Sequence, residues 1–196
     1  MRFDAGWGVA ALRGASALGT IAMMGAAAAA PAERAAEKAE LPLHYGVNEV
    51  KAGEARFQIL RGFVNHQSGS FDTYTVFLQP AKADAPWMHI SVPAAKGVGY
   101  HLRSAETADA TLVAVAFFRQ QNELYAVEAE RDGATPAERQ KKAAVQFRVY
   151  KFNGNPDTPM FEAIETRQAL VRYQNADDAL KDEFFIAAGG RYRPAR

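Results

Sequence analysis

The sequence of 196 residues contains no cysteine. This absence excludes disulfide bonds and thiolate metal ligands, and it leaves no residue to carry the lipid of a bacterial lipoprotein. A small domain that is exported without disulfides has to be held together by its apolar core alone. Beyond an export signal, about 165 residues remain, which is enough for one domain that buries roughly 70% of its unfolded surface.

Neither sign of charge dominates the sequence. It has 23 Lys+Arg and 22 Asp+Glu, and the first 30 residues contain two arginines and one aspartate, so 21 residues of each sign remain beyond them. This balance argues against a nucleic-acid partner, because binding to phosphates requires a basic face. The one local excess is the arginine-rich tail 191–196, which we expect to be a solvated chain end.

The longest apolar run near the start is too short to span a membrane. Arg2 and Arg13 precede the apolar segment 14–25, and the small-residue stretch 26–32 follows it. An apolar segment of about 7–15 residues between a positive flank and small residues is typical of a secretory signal peptide. The pattern therefore predicts an exported protein, soluble in the periplasm and without a membrane anchor.

These features divide the chain into four expected parts. They are a signal peptide at 1–30, cut after Ala30 or Ala32, a flexible leader at 31–42, a single β-rich domain at 43–190 and a basic tail at 191–196.

Recognisable catalytic motifs are also missing. The sequence has no G-x-S-x-G of serine hydrolases, no S-x-x-K of penicillin-binding proteins and serine β-lactamases, and no H-E-x-x-H of zinc hydrolases. The four histidines lie far apart along the chain, whereas a zinc ion needs about four converging ligands. We therefore expect no catalytic residue, no metal and no cofactor.

From Leu43 onward, short runs of alternating apolar and polar residues are separated by turn residues, which is typical of antiparallel strands. The clearest predicted strands are 56–65, 71–79, 87–92, 111–119 and 145–152. In the first of them, Phe57, Ile59 and Phe63 are expected on one face, with Arg61 interrupting it. The run 111–119 is apolar on both faces, as in a central strand covered on both sides.

Two stretches, one connection and one short helix carry weaker signals. Residues 122–131 fit either a helix or a strand, and 160–173 is expected to be a long strand or a strand pair. Gly69 can adopt a positive φ in a hairpin connection at 66–70. Thr135 begins a capping-box pattern that predicts a short exposed helix.

The last expected element is a helix over 175–188. Asn175 is a suitable N-cap, and two aspartates follow it in the first turn. Leu180, Phe184 and Ala187 form an apolar stripe that we expect to pack on the sheet. The fold class is therefore mainly β: an antiparallel β-sandwich or small barrel with a C-terminal α-helix.

Four residues are the candidates for binding. Asn65 and His66 lie in the densest polar loop of the domain, and loops carry function more often than cores do. Tyr74 and Trp87 are large aromatic residues on strands expected to be neighbours, and such residues commonly anchor partners. The competing explanations are a plain hairpin tip for the first two and core packing for the other two.

Seven segments, read in order, resemble the CarG-like carbapenem intrinsic-resistance family. They are NHQSGSFDTYTVFLQP (65–80), WMHISV (87–92), GYHLR (99–103), TLVAVAFFR (111–119), VQFRVYKF (145–152), PMFEAIETR (159–167) and YQNADDALKDEFF (173–185). The resemblance implies an exported protein that protects a carbapenem producer from its own antibiotic and is not a β-lactam hydrolase. It transfers no individual binding residue to this chain.

We therefore expect an exported periplasmic, non-enzymatic protein that confers carbapenem or other β-lactam tolerance by binding the drug or by shielding a cell-wall protein. The alternative is a general periplasmic binding or interaction module of unknown ligand, for which a homodimer is one arrangement. A third hypothesis is an envelope hydrolase with an unrecognised site, for which His66, Asp72 and Glu165 are the candidates.

Overall fold

Antiparallel strands make up most of the computed structural model, which describes residues 39–67, 69–82, 84–94, 96–133 and 135–185. All of these belong to the second of the two units into which the chain divides, Arg34–Arg196. The predicted signal peptide and tail, most of the leader and the end of the predicted C-terminal helix lie outside the described residues.

The described residues form thirteen strands and two short helices. The strands are β1 (Ala39–Glu40), β2 (Gly46–Ala52), β3 (Ala55–His66), β4 (Gly69–Leu78), β5 (Met88–His89), β6 (Val92–Pro93), β7 (Val98–Gly99), β8 (Leu102–Arg103), β9 (Ala105–Glu106), β10 (Thr111–Gln120), β11 (Glu123–Arg131), β12 (Val145–Phe152) and β13 (Phe161–Gln168). The helices are α1 (Pro136–Arg139) and α2 (Ala176–Ala179), and α2 continues as a π-helical segment, Leu180–Phe184.

One open antiparallel sheet contains eleven of these described strands, and β6 and β7 form a separate pair. Its main path runs β13-β12-β11-β10-β9-β4-β3-β2, so β13 and β2 stand at its ends. The short strand β9 connects the two halves, because Glu106 pairs with both Thr111 of β10 and Ser70 of β4. The tight β3–β4 hairpin confirms the connection predicted at 66–70.

The two halves of the sheet enclose a first core. Phe57 and Ile59 of β3 pack in the same cluster as Phe117 of β10 and Phe161 of β13, and all four are almost fully buried. The alternation within 56–65 therefore predicts the buried face correctly up to Ile59. Phe63, farther along the same strand, is 55% exposed, because the hairpin extends beyond the core at this end.

A second core lies on the other face of β10, β11 and β12. Phe118, Val127 and Phe147 of these strands pack against Leu180 and Phe184 of the C-terminal helical segment. The strand predicted at 111–119 is thus covered on both sides, and the docking of Leu180 and Phe184 is confirmed. The fold is an antiparallel β-sandwich with a short C-terminal helix.

Two predicted strands are shorter than expected. The run 87–92 is interrupted because the chain crosses between the two halves of the sheet: the Ile90 N–H donates to Val76 O on one half (2.8 Å), and the Phe161 N–H of the other half donates to Ser91 O (2.8 Å). The run 160–173 leaves the sheet after Gln168 and contains no second strand.

Asn175 stands at the predicted N-cap position of the C-terminal helix, but its side chain accepts no backbone N–H of the first turn. Its Oδ1 instead accepts the N–H of Thr111 (3.2 Å), and its Nδ2 donates to Asp178 Oδ2 (3.0 Å). The side chain therefore joins the helix to the start of β10. In the part of the chain that is described, no helix has the length and apolarity required to cross a membrane.

Candidate functional site

An open cavity lies where β3 begins, β4 ends and the loop between β12 and β13 approaches them. Its volume is about 650 Å³, within the size range of small-molecule sites. Its apolar lining includes Leu78, Pro80, Met88, Phe152 and Pro156, and its charged lining consists of Glu54, Arg56 and Lys82. The arrangement suits a ligand that has both an apolar and a charged part.

The apolar floor of this cavity is the end of the first core. Leu78 and Phe152 belong to the buried cluster between the two halves of the sheet, and both also line the cavity. The Gln79 N–H donates to Arg56 O (2.8 Å), which fixes the end of β4 against the start of β3. The floor is therefore held by the same packing that holds the fold.

One wall of the cavity is a loop that asparagine side chains brace. Asn153 Oδ1 accepts the N–H of Asn155 (3.1 Å), and Asn155 Oδ1 accepts the N–H of Asp157 (2.9 Å). Short polar side chains that bond to nearby backbone hold a turn in one shape. The wall that carries Pro156 is thus formed before any ligand arrives.

The cationic end of the cavity continues into a smaller pocket of about 160 Å³. The two spaces share Arg56, Gln79, Pro80 and Lys82, and the smaller one adds Trp87. Among the described residues, neither Arg56 nor Lys82 forms an ion pair. We call this smaller pocket the cationic annex.

Aromatic rings extend from the cationic annex across the surface of β4 and β5. The ring centroids of Trp87 and Phe77 lie 6.2 Å apart, those of Phe77 and His89 4.8 Å, and those of His89 and Tyr100 5.5 Å. Trp87 is 49% exposed and Tyr100 60% exposed. We call these four residues the aromatic row, and its two ends are open to solvent.

The four predicted binding residues do not form one site. Trp87 lies in the cationic annex, whereas Tyr74 is buried in the first core and faces away from the side of β4 that carries Phe77. Asn65 and His66 are exposed at the end of the β3–β4 hairpin. Of the four, only Trp87 lines either space.

Tyr74 belongs to a buried polar network. Its hydroxyl donates to Asp72 Oδ2 (3.3 Å), and the Tyr45 hydroxyl donates to Asp72 Oδ1 (3.1 Å). The guanidinium of Arg61 binds the same carboxylate and lies 4.5 Å from the centre of the Tyr45 ring. Burial, with the nearby negative charge of Asp72 adding to it, raises the pKa of Tyr74. The hydroxyl therefore stays neutral and acts as a structural donor.

The three hydrolase candidates also lie apart. His66 is at the hairpin end, Asp72 is in the network just described, and Glu165 is on β13 beside Arg167 (Oε1 to Nε, 3.4 Å). The Arg167 guanidinium covers the ring of Phe147 in the second core (4.5 Å), so Glu165 is on the far side of the sheet from Asp72. Within the described residues, no group of three or more histidine, aspartate or glutamate side chains is arranged to hold a metal ion.

Arg56 and Lys82 are the residues that sequence reasoning missed. Both are exposed cations in segments without a motif, and nothing local distinguishes them from solvated lysines and arginines elsewhere. The cavity forms from three stretches, 54–56, 78–88 and 152–156. The one available signal was the strong turn at 153–156. It predicts a turn but does not predict which residues of the fold that turn lies against.

The protein is an antiparallel β-sandwich with a helical segment packed on one face of the sheet. A cavity of small-molecule size lies at one end. The chain is similar to the protein of a solved structure described as the crystal structure of CarG, with a TM-score of 0.59 and 17% sequence identity over 76% of this chain and 99% of that chain. A likeness at this identity shows a common fold. No family model and no curated protein matches the chain.

Proposed function

We propose that this protein is an exported binding protein that raises tolerance to β-lactam antibiotics, carbapenems in particular, by holding the drug without cleaving it. The observation that carries the proposal is the preformed cavity of about 650 Å³ with an apolar floor and a cationic end. The connection with carbapenems comes from the sequence resemblance to the carbapenem intrinsic-resistance family, and the likeness to the solved CarG structure supports that resemblance at the level of the fold.

The chemistry of the cavity fits a carbapenem. The parent carbapenem is a small bicyclic molecule with one carboxylate, so it presents a single negative charge beside the hydrocarbon part of its rings. Leu78 and Phe152 offer a surface for the hydrocarbon part, and Arg56 and Lys82 offer opposite charge. Sites that bind small molecules commonly combine a mainly apolar lining with a few polar groups that fix orientation.

Binding without cleavage is supported by the types of residue around the cavity. Among the described residues that line it, none has a hydroxyl, thiol or imidazole side chain. Acyl transfer from a β-lactam usually needs such a nucleophile or a metal-activated water. The drug would therefore be sequestered and released intact.

Export is the second part of the proposal, and it depends on the predicted signal peptide at 1–30. A protein that protects by binding must meet the drug before the drug reaches the enzymes of cell-wall synthesis. The periplasm is where a protein with this N-terminal pattern arrives and where that encounter takes place.

The test is periplasmic expression in a carbapenem-sensitive bacterium. Wild type is expected to raise the minimum inhibitory concentration, while the β-lactam absorbance of the drug stays constant in the presence of purified protein. Ala81→Trp, which fills the cavity, should abolish protection. Ala108→Trp places the same side chain on an exposed turn elsewhere and should retain it. Unchanged tolerance at good periplasmic expression of the wild type would refute the proposal.

The aromatic row favours a second candidate function, the shielding of a cell-wall protein. Exposed aromatic residues such as Trp87 and Tyr100 are common anchors of protein partners. Tyr100→Ala distinguishes the two functions, because Tyr100 does not line the cavity. Loss of protection with intact drug binding in this variant would identify shielding as the mechanism.

A further inference from the structure

We infer that the cavity selects amphiphilic monocarboxylates, with the carboxylate bound between Arg56 and Lys82 and the apolar body lying on Leu78 and Phe152. This inference rests on the proposed function only in taking the cavity as a ligand site. It goes further because it extends the ligand from one drug to a chemical class and makes the negative charge the basis of selection.

The charge at the cationic annex is uncompensated. Arg56 and Lys82 line both the cavity and the annex, and neither has an ion-pair partner among the described residues. Glu54 is the acidic residue of the cavity lining, so that lining has two cations and one anion. A single negative charge on a ligand would bring this set to balance.

The identity of the cations favours a carboxylate. A guanidinium presents two parallel N–H groups that match the two oxygens of a carboxylate, and an ammonium adds a compact charge beside them. With one acid nearby, a doubly charged group such as a phosphate ester would have to overcome repulsion from Glu54. The observed set thus suits a monoanion.

The two poles of the site belong to one hairpin. Leu78 pairs with Phe57 across β3 and β4, and Arg56 precedes Phe57 on β3. The hydrogen bond between Gln79 and Arg56 closes the end of this hairpin. Because neighbouring residues of a strand point to opposite faces, a ligand reaches both poles at the end of the hairpin, where Arg56 and Leu78 line the same cavity.

A matched pair of probes tests the inference by isothermal titration calorimetry. Naphthalene-1-acetate and 1-naphthaleneacetamide have the same rings, but only the first has a negative charge. We expect the acid to bind about tenfold tighter at low ionic strength, which is the affinity ratio of one charge-assisted hydrogen bond. The difference should shrink as salt is added, because the annex is open to solvent.

Variants of the lining residues assign the selection to the annex. R56Q and K82Q should each bring the affinity for the acid toward that of the amide and leave the amide unchanged, and E54Q should strengthen binding of the acid. Arg172→Gln is the matched control, because Arg172 is an exposed arginine that lines a different pocket. It should leave both affinities as in the wild type.

The outcomes separate this inference from the proposed function. Equal binding of the two probes, or binding of neither, overturns the inference whatever the carbapenem does. Selective binding of the acid that R56Q abolishes supports it, even if a carbapenem does not bind and the proposed drug-binding function fails. Selectivity that survives in both R56Q and K82Q overturns it as well.

Discussion

The guanidinium of Arg61 binds one carboxylate oxygen of Asp72 through two N–H groups, Nε at 3.0 Å and Nη2 at 2.6 Å. Its third nitrogen, Nη1, donates to Leu43 O at 2.8 Å. One side chain thus ties together the β3–β4 hairpin and the segment that leads into β2. The arginine that interrupts the apolar face of β3 is therefore a structural residue.

Arg61→Ala should lower the free energy of unfolding by about 2–4 kcal/mol, because it leaves a largely buried carboxylate without its cation. Lys181→Ala is the control, since Lys181 forms an exposed ion pair with Asp177, and it should cost less than about 1 kcal/mol. Urea unfolding at neutral pH measures both. Equal losses would show that the Arg61 pair is no more important than a surface contact.

The C-terminal helical segment gives a second prediction. Leu180→Ala and Phe184→Ala should each destabilise the protein by about 2–5 kcal/mol, because both side chains are buried in the second core. Asp182→Ala, on the exposed side of the same segment, should change stability by no more than about 0.5 kcal/mol. A loss below that value for Leu180→Ala would mean that the segment does not dock in solution.

Glu128 gives a prediction about pH. Burial raises the pKa of its carboxyl above the ordinary value of 4.5, against the opposing hydrogen bond from the Tyr150 hydroxyl (3.0 Å) and the charge of Arg148. The folded protein therefore keeps this proton to a higher pH than the unfolded chain does. Its contribution to stability is complete below pH 4.5 and is lost as pH rises through the folded pKa.

Glu128→Gln should remove this part of the pH dependence. Between pH 4.5 and 7 the free energy of unfolding of the variant should fall less, or rise more, than that of wild type. Glu49→Gln, at an exposed position on β2, should keep the wild-type profile. Parallel profiles for wild type and Glu128→Gln over this range would contradict the prediction.

Trp87 gives a prediction that needs no label. The sequence contains two tryptophans, Trp7 and Trp87, and cleavage after Ala30 or Ala32 would leave Trp87 alone. Because Trp87 lines the cationic annex, saturation with a carbapenem should change the tryptophan emission of the exported form. Trp87→Phe should abolish that emission and leave calorimetric binding within about threefold of wild type, a change of less than 1 kcal/mol. Unchanged emission at calorimetric saturation would place the drug elsewhere.

Elements with a strong local pattern could be predicted from the sequence. In strand 145–152, Val145, Phe147 and Val149 are buried as the pattern predicts, and Tyr150 and Phe152 are buried as well, in the first core. The capping box at Thr135 also forms as predicted, with its hydroxyl accepting from the Glu138 N–H and the Glu138 carboxylate accepting from the Thr135 N–H. In both cases the residues that determine the local structure lie within a few positions of the residues that adopt it.

Features that depend on distant contacts could not be predicted in this way. Arg131 is buried and forms no ion pair with another described residue. It donates to the carbonyls of Asp132, Glu138, Arg139 and Lys141, which shapes the loop between β11 and β12. The cavity likewise joins three stretches of chain, and the cations at its edge have no periodic pattern. Such sites form through tertiary packing, and the pattern of residues along the chain does not predict which distant segments pack together.

Strand β10 supplies neighbouring residues to opposite sides of the sheet, Phe117 to the first core and Phe118 to the second. Neither core can unfold alone, because unfolding of one core exposes a face of β10, and β10 also supports the other core. Denaturation of the described domain should accordingly be a single cooperative event. The amide protons of β10 should be among the slowest in the molecule to exchange with deuterated solvent.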